Sequence, residues 1–279
     1  MITGATALYG VIGNPVAHSR SPEMHNRAFA RLGIDAAYVA LPVPPDGLDD
    51  ALRGAHALGF RGLNVTVPHK QRALQLCITV DEVSEQVGAV NTLRRAAGGW
   101  EGFNTDALAA RSLLEEAGVG RGTRALLLGA GGVARAAAWA LLERGADLRV
   151  MARREEAAAE LIHDVGVPHP GARPCIVGFG ALAAEAGQAE VILNGTTVGL
   201  HGQDDRFADL AFRRGQLAVD FVYGQTSFMA AALEAGARLI RGEAILVRQG
   251  ALAFTLWTGH AAPEAEMAAA LAAPAGSSR

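Results

Sequence analysis

Five small or apolar residues follow an apolar run near the middle of the chain and open a predicted helix: Gly129, Ala130, Gly131, Gly132 and Val133. A strand over 124–128, a glycine turn and a helix from about 132 form the dinucleotide-binding fingerprint in its structural context. Gly129 permits the tight turn, Gly131 lets the backbone approach a pyrophosphate, and Ala134 allows close packing of helix and strand. The helix N-terminus offers free N–H groups to phosphates. These residues are therefore candidate cofactor ligands.

The type of dinucleotide depends on the residues after the next predicted strand, at 148–152. A carboxylate at that point binds the ribose diol of NAD. Here the strand is followed instead by Arg153 and Arg154, and guanidinium groups suit a 2′-phosphate. The sequence therefore favours NADP and assigns both arginines to its binding.

Polar residues also follow the strands that are predicted in the first hundred residues. Asn64 and Thr66 alternate with valines, so both are predicted to face one side of a strand, and Lys70 follows that strand. The loop 14–22 follows the first predicted strand, and Ser21 within it is predicted to cap a helix. Ligands of α/β sheets bind at the carboxyl ends of strands, so both segments are candidate substrate sites.

Two further segments each place an asparagine and a threonine after a glycine. They are Gly88-Ala89-Val90-Asn91-Thr92 and Gly102-Phe103-Asn104-Thr105-Asp106. Both are predicted to form tight turns, and the second adds the carboxylate of Asp106. A lone lysine after a strand is usually a solvated surface residue, but these two segments make Lys70 a stronger candidate for a site residue.

Strands and helices are predicted to alternate in two series, which indicates an α/β protein with mostly parallel sheets. The first series forms an N-terminal substrate-binding domain. The second forms a doubly wound, Rossmann-type dinucleotide-binding domain, with strands at 125–128, 148–152, 191–194 and 218–221. An apolar helix at 249–257 is expected to return to the first domain. The predicted domains are 1–107 with 245–279 for substrate and catalysis, and 108–244 for NADP.

Composition narrows the functional class further. A net charge of −3 and a pI near 6.2 give no electrostatic reason to expect a nucleic acid partner. The two cysteines, Cys77 and Cys175, lie too far apart in sequence to indicate a disulfide framework or a metal site. The sequence shows no signal peptide and no apolar run of about 18 residues, so we expect a cytoplasmic protein without a membrane partner. The small residues after Ala261 are predicted to fray.

Taken in order along the chain, these motifs resemble those of the shikimate dehydrogenase family. The resemblance covers nearly the whole chain. It includes Asn14-Pro15…His18-Ser19-x-Ser21-Pro22…His25-Asn26, Asn64-x-Thr66-x-Pro68-x-Lys70, Gly88-Ala89-Val90-Asn91-Thr92, Asn104-Thr105-Asp106, the glycine turn at 129–134, and Gln249-Gly250-Ala251…Phe254…Trp257-Thr258-Gly259.

The resemblance implies a role for each matching residue. Ser19 and Ser21 would hold a substrate carboxylate, Thr66, Asn91 and Gln249 would bind ring hydroxyls, and Tyr223 would contact the substrate from the nucleotide-binding side. Lys70 and Asp106 would form the catalytic pair and also contact the substrate. Thr196, Phe221 and Gly242 would join the glycine turn and the arginines at the cofactor.

The implied reaction is the NADP-dependent, reversible reduction of 3-dehydroshikimate to shikimate, in the biosynthesis of chorismate and aromatic amino acids. Such a reaction needs a hydride carrier and a positioned acid/base group, and a lysine with an aspartate supplies a proton donor and an acceptor at one oxygen. A quinate/shikimate or aminoshikimate dehydrogenase of the same fold is the alternative within this class. A non-catalytic nucleotide sensor is an alternative from another class, but a sensor would not need the pair of Lys70 and Asp106. We expect a monomer or a homodimer.

Overall fold

A computed structural model describes residues 2–199, 207 and 210–272. In chain order the strands are β1 (Ala7–Gly13), β2 (Ala36–Pro42), β3 (Gly62–Val65), β4 (Thr79–Val80), β5 (Thr92–Ala96), β6 (Gly99–Phe103), β7 (Arg124–Leu128), β8 (Asp147–Met151), β9 (Cys175–Ile176), β10 (Val191–Asn194), β11 (Leu217–Asp220) and β12 (Arg238–Ile240). The helices are α1 (Ser21–Leu32), α2 (Leu48–Ala57), α3 (Lys70–Gln75), α4 (Glu82–Val87), α5 (Thr105–Glu116), α6 (Gly132–Glu143), α7 (Glu155–Gly166), α8 (Leu182–Gln188), α9 (Ser227–Glu234), α10 (Gly242–Thr258) and α11 (Glu264–Ala272).

The chain divides into two compact units. The first unit comprises Met1–Thr105 with Leu246–Arg279, and the second comprises Asp106–Ile245. Each unit contains one six-stranded sheet. The prediction of an α/β fold with mostly parallel sheets is therefore confirmed.

The sheet of the second unit has the strand order β12-β11-β10-β7-β8-β9, and every pair is parallel. Read from β9, this is the order 3-2-1-4-5-6 of a doubly wound Rossmann sheet. Its central strands are almost wholly apolar because helices cover both faces. The order reverses between β7 and β10, and that switch point is where such sheets bind ligands.

The sheet of the first unit has the order β2-β1-β3-β5-β6-β4. Strands β1, β2 and β3 are parallel, whereas β5 pairs antiparallel with both β3 and β6. Leu63 and Leu93 are fully buried in its core. On the other face of the sheet, Val247, Ala251 and Phe254 of α10 pack with Tyr9 and Phe29. Helix α10 therefore belongs to this unit from Leu246 onward.

The prediction of a tight turn for the segment 102–106 is wrong. Thr92 opens β5 and Gly102 lies within β6, so the second segment is not a tight turn. Leu93 and Trp100 bury one face of this hairpin, and the turn falls at Gly98, whose φ is +88°. Gly102 is required by packing instead, because a Cβ there would lie 2.7 Å from Val90 and 2.8 Å from the Cys77 Sγ.

The C-terminal segment is more ordered than its composition predicts. Helix α11 contributes buried Met267 and Leu271 to the same core as α1, so the expectation of fraying from Ala261 is wrong up to Ala272. The rest of that expectation, 273–279, lies outside the described residues. No helix in the described part of the chain has the length and apolarity that a membrane span requires.

Candidate active site

A cavity of about 500 Å³ lies at the switch point of the second sheet. Six of the predicted cofactor residues line it: Gly129, Ala130, Gly131, Arg153, Arg154 and Thr196. The strand order explains this grouping, because β7, β8 and β10 are neighbours and each of these residues follows one of them. The structure thus brings together residues that are up to 67 positions apart in the sequence.

The glycine turn has the shape that a dinucleotide requires. Gly129 has φ +106°, and a Cβ there would lie 2.9 Å from the carbonyl oxygen of Gly195. Gly131 has no atom within 4 Å of its Cβ position, which leaves open space directly before α6. Ala134 is fully buried, and a Cβ on Gly195 would lie 3.0 Å from its methyl group. Only small residues therefore allow this helix, this turn and the turn after β10 to approach so closely.

The end of β8 carries positive charge toward the same cavity. Arg153 and Arg154 are exposed and line it, and Arg154 occupies the N-cap position of α7. The cavity lining in the described residues includes no aspartate or glutamate. This donor set fits a dinucleotide with an additional phosphate on its adenosine ribose, and it does not fit a ribose diol.

A buried polar cluster holds the turn after β10. The Asn194 Oδ1 accepts hydrogen bonds from the backbone N–H of Thr196 at 3.1 Å and from its hydroxyl at 2.7 Å. The Asn194 Nδ2 donates to the carboxylate of Asp220 at 3.0 Å. That carboxylate also accepts from the Thr226 hydroxyl at 2.6 Å and from the Val222 N–H at 3.0 Å. Burial raises the pKa of Asp220 to about 6, against the opposing effect of these hydrogen bonds.

The remaining predicted cofactor residues lie elsewhere in the second unit. Gly132 and Val133 are the first residues of α6, behind the glycine turn. Phe221 borders a small apolar cavity with Leu193 and Ile245. Gly242 begins α10, and a Cβ there would lie 2.5 Å from the carbonyl oxygen of Val222. Neither Phe221 nor Gly242 lines the 500 Å³ cavity.

In the first unit, a chain of buried hydrogen bonds connects several of the predicted substrate residues. Ser21 is buried near Tyr38, and the Tyr38 hydroxyl donates to the Asn64 Oδ1 at 2.7 Å. The Asn64 Nδ2 donates to the Thr92 hydroxyl at 3.0 Å. Burial raises the pKa of Tyr38 well above its usual value, so the phenol remains protonated and can donate.

The same hydrogen-bond network continues to helix α10. The Asn91 Nδ2 donates to the Thr105 hydroxyl at 2.9 Å and to the Gln249 Oε1 at 3.3 Å. The Asn91 Oδ1 accepts from the Thr105 backbone N–H at 2.7 Å. Asn91, Thr105 and Gln249 are each less than a tenth exposed. The strand ends β3 and β5 and helix α10 thus place amide and hydroxyl groups around one region of this unit.

The other predicted substrate and catalytic residues border helix starts. Ser19 is half-buried, and its hydroxyl accepts from the Ser21 N–H at 3.3 Å. Thr66 follows the end of β3, and Lys70 is the first residue of α3 and buried. Asp106 is buried in the first turn of α5, at the start of the second unit. Tyr223 is half-buried and follows β11 in that unit.

The prediction that Ser21 caps α1 is wrong. Arg20 occupies the N-cap position, no side chain caps the helix, and Ser21 is already its first residue. The Ser21 side chain is buried near Tyr38. A serine before a proline is typical of an N-cap in sequence, but here the helix begins one residue earlier, so that Arg20 occupies the N-cap position.

Tyr38 and Asp220 are not among the residues predicted from sequence, although both organise candidate site residues. Tyr38 stands in an apolar run and carries no local signal. Asp220 ends a buried strand, where a fully buried carboxylate is unusual, and this was the available signal. His25 is fully buried and stacks on Tyr38 with ring centroids 4.4 Å apart.

The fold and the cavity together define a two-unit α/β protein with a Rossmann-type dinucleotide-binding unit. Residues 11–93 match the shikimate dehydrogenase substrate binding domain, and residues 242–272 match the shikimate 5′-dehydrogenase C-terminal domain. The shikimate dehydrogenase (NADP(+)) of Anaeromyxobacter sp. strain K is 66% identical over 276 residues, which cover 99% of each chain. The chain therefore belongs to the shikimate dehydrogenase family.

Solved structures agree with this assignment. The shikimate dehydrogenase of Aquifex aeolicus superposes with a TM-score of 0.87 at 33% identity, covering 97% of this chain and 99% of that one. The shikimate 5-dehydrogenase of Thermus thermophilus, solved in complex with NADP(H) and shikimate, gives a TM-score of 0.83 at 35% identity, covering 95% and 98%.

Proposed function

We propose that the protein is an NADP-dependent shikimate dehydrogenase that reversibly reduces 3-dehydroshikimate to shikimate, in the biosynthesis of chorismate and aromatic amino acids. One structural observation carries the NADP-dependent part of the proposal: a glycine turn and two arginines share a cavity whose described lining has no carboxylate. The substrate is the one that the relatives' names state, at up to 66% identity over the full chain. The family motifs in the first unit support it.

In this proposal the second unit, predicted as 108–244, binds NADP(H), and the first, predicted as 1–107 with 245–279, binds the substrate. Ser19 and Ser21 bind the substrate carboxylate, and Thr66, Asn91 and Gln249 bind ring hydroxyls. Tyr223 also contacts the substrate. The buried hydrogen bonds of Asn91 and Gln249 support these roles, because they fix both amides before any ligand arrives and so reduce the entropy cost of binding.

The glycine turn, with Gly132 and Val133 at the start of α6, holds the pyrophosphate, and Arg153 and Arg154 hold the 2′-phosphate. Thr196, Phe221 and Gly242 complete the proposed cofactor contacts. Thr196 is supported by its place in the lining of the 500 Å³ cavity, where Asn194 fixes its hydroxyl and its N–H. When bound, the reduced nicotinamide supplies the hydride.

Lys70 and Asp106 act as the acid/base pair at the reacting oxygen. In the reductive direction the carbonyl oxygen gains a proton, which the lysine ammonium donates, and the carboxylate orients that group. In the oxidative direction the hydroxyl proton returns to the pair. Lys70 and Asp106 are buried to more than nine-tenths. Burial favours fixed positions for these two side chains rather than free movement in solvent.

An absorbance assay at 340 nm tests the proposal directly. NADP+ and NAD+ are offered separately, each with shikimate, quinate and aminoshikimate. We expect the highest kcat/KM with shikimate and NADP+. A higher kcat/KM with quinate or aminoshikimate would identify the alternative enzymes of this fold. Cofactor binding without turnover of any substrate would identify a nucleotide sensor and overturn the proposal.

We further propose a cytoplasmic protein that acts as a monomer or a homodimer. Cys77 and Cys175 are both free thiols, as is typical of a reducing compartment. Light scattering during size-exclusion chromatography distinguishes the two states, and a larger assembly would contradict both.

A further inference from the structure

Phe179 is an exposed aromatic residue in the wall of the cofactor cavity. Its relative exposure is 50%, although most of the large apolar side chains of this unit are buried. It lines the same 500 Å³ cavity as Arg153 and Arg154. An exposed phenyl ring inside a concave site costs hydration free energy unless a ligand covers it.

The strand order shows which part of the cavity Phe179 borders. The glycine turn follows β7, the two arginines follow β8, and Phe179 opens a short helical turn, Phe179–Ala181, just after β9. Strand β9 pairs with β8, with Ile176 opposite Val150, and the Val177 N–H donates to the Val150 carbonyl at 2.9 Å. Phe179 is therefore on the arginine side of the glycine turn, whereas Thr196 is on the opposite side, after β10.

The chemistry of the lining suggests what Phe179 contacts. The polar side chains of the described lining are those of Arg153, Arg154, Thr196 and Thr197. On the arginine side these offer hydrogen-bond donors and charge, while Ala152 and Ala157 offer none. A nucleobase on that side would meet no side-chain amide or carboxylate in the described lining, but it would meet an aromatic face.

We infer that Phe179 is a cofactor-binding residue that stacks on the adenine ring of NADP. This inference rests on the proposed function and extends it, since it assigns the adenine contact to an aromatic face rather than to hydrogen bonds. Every base has a π-face, so stacking binds adenine without reading its edge. Arg153 and Arg154 would then distinguish NADP from NAD, and Phe179 would add affinity for both.

Calorimetric titration with adenosine 2′,5′-bisphosphate, NADP+ and NAD+ tests the inference. Base–aromatic stacking contributes about 1–3 kcal/mol per base, so Phe179→Ala should weaken binding of all three at least about fivefold. Phe179→Leu, which keeps an apolar side chain without a π-face, should weaken them in the same direction. Phe179→Tyr should stay within about twofold of the wild type. Inorganic pyrophosphate, which has no base, should bind the wild type and Phe179→Ala equally.

Leu233→Ala is the matched control, because Leu233 is 51% exposed in the same unit and does not line the cavity. It should change none of the dissociation constants. Unchanged binding of adenosine 2′,5′-bisphosphate in Phe179→Ala overturns the inference alone. An equal loss for pyrophosphate also overturns it, because the residue would then act on the shape of the cavity. A wild-type protein that binds neither NADP+ nor NAD+ overturns the proposed function itself.

Discussion

The hydroxyl of Tyr38 donates a hydrogen bond of 2.7 Å to the Oδ1 of Asn64, and both side chains are buried. This bond joins β2 to β3, and the Asn64 Nδ2 extends the connection to Thr92 of β5. Because Ser21 is buried near the same phenol, one tyrosine lies between a proposed carboxylate ligand and the strands that present Thr66 and Asn91. The phenol thus positions candidate site residues, although Tyr38 itself belongs to none of the sequence motifs.

Replacing Tyr38 by Phe should destabilise the protein and weaken substrate binding. The change leaves a buried amide oxygen without its donor, which costs about 1–3 kcal/mol. We expect a lower midpoint in urea and a higher KM for shikimate, with a smaller change in kcat. Tyr9→Phe is the control, because Tyr9 is buried in the same unit and its hydroxyl makes no hydrogen bond within the described residues. Equal effects of the two changes would contradict a positioning role for Tyr38.

Replacing Lys70 by Ala should remove most of the turnover. A positioned acid/base group contributes about 10²–10⁴-fold to the rate, and the KM for shikimate should change less than kcat. Steady-state kinetics measure both constants, and a thermal melt monitors the loss of a buried side chain. Arg72→Ala on the same helix is the control, since Arg72 is exposed and pairs with Asp49. A variant at position 70 that kept more than about a tenth of the wild-type kcat would exclude the proposed role.

Replacing both Arg153 and Arg154 by Ala should change the cofactor preference. Hydrogen bonds to charged groups contribute about 1.5–3 kcal/mol each, so the KM for NADP+ should rise at least about tenfold. The KM for NAD+ should change little, because NAD+ lacks the 2′-phosphate. Arg173→Ala serves as the control, because Arg173 is exposed in the same unit and bonds only to backbone carbonyls. Equal losses for both cofactors would show that the arginines serve the adenine side or the fold.

Much of the fold could be predicted from sequence because its signals are local. Apolar runs bounded by glycine locate β7, β8, β10 and β11 to within one or two residues. The hairpin β5–β6 was missed because Arg94 and Arg95 interrupt its apolar pattern. At the site, motif residues could be found, but the roles of Tyr38 and Asp220 could not, because each depends on partners from other elements. The Ser21 prediction failed because the helix begins one residue earlier than the Ser21-Pro22 pair indicates.

His25 should make the stability of the protein fall in mild acid. It is fully buried among aromatic rings, and desolvation lowers its pKa to about 3. Below pH 6.5 the His25 side chain binds a proton in the unfolded chain but not in the folded chain. The free energy of unfolding therefore decreases as the pH falls. At pH 5 the loss is about 2 kcal/mol. In His25→Leu this loss should disappear, whereas His163→Leu, at an exposed position, should retain it. Urea unfolding at pH 7 and pH 5 measures the difference, and identical pH slopes in wild type and His25→Leu would contradict it.

Asp220 should act with the opposite sign over a similar range. Burial raises the pKa of its carboxyl from 3.8 to about 6, so between these values the folded protein keeps a proton that the unfolded chain has lost. The contribution to stability is therefore complete below pH 3.8 and declines as the pH rises through 6, by about 3 kcal/mol in total.

Asp220→Asn isolates this contribution. The amide oxygen can still accept from Asn194 and Val222, and the loss at Thr226 lowers stability at every pH. The difference in unfolding free energy between wild type and variant should nevertheless shift in favour of the variant as the pH rises from 4 to 7, by roughly 2–3 kcal/mol. Asp46→Asn, at an exposed carboxyl, should show no such shift. A pH-independent difference for Asp220→Asn would mean that the carboxyl is ionised in the folded protein throughout this range, held by its three hydrogen bonds. The Asn194–Thr196 turn would then be anchored by a charge over the whole of this pH range.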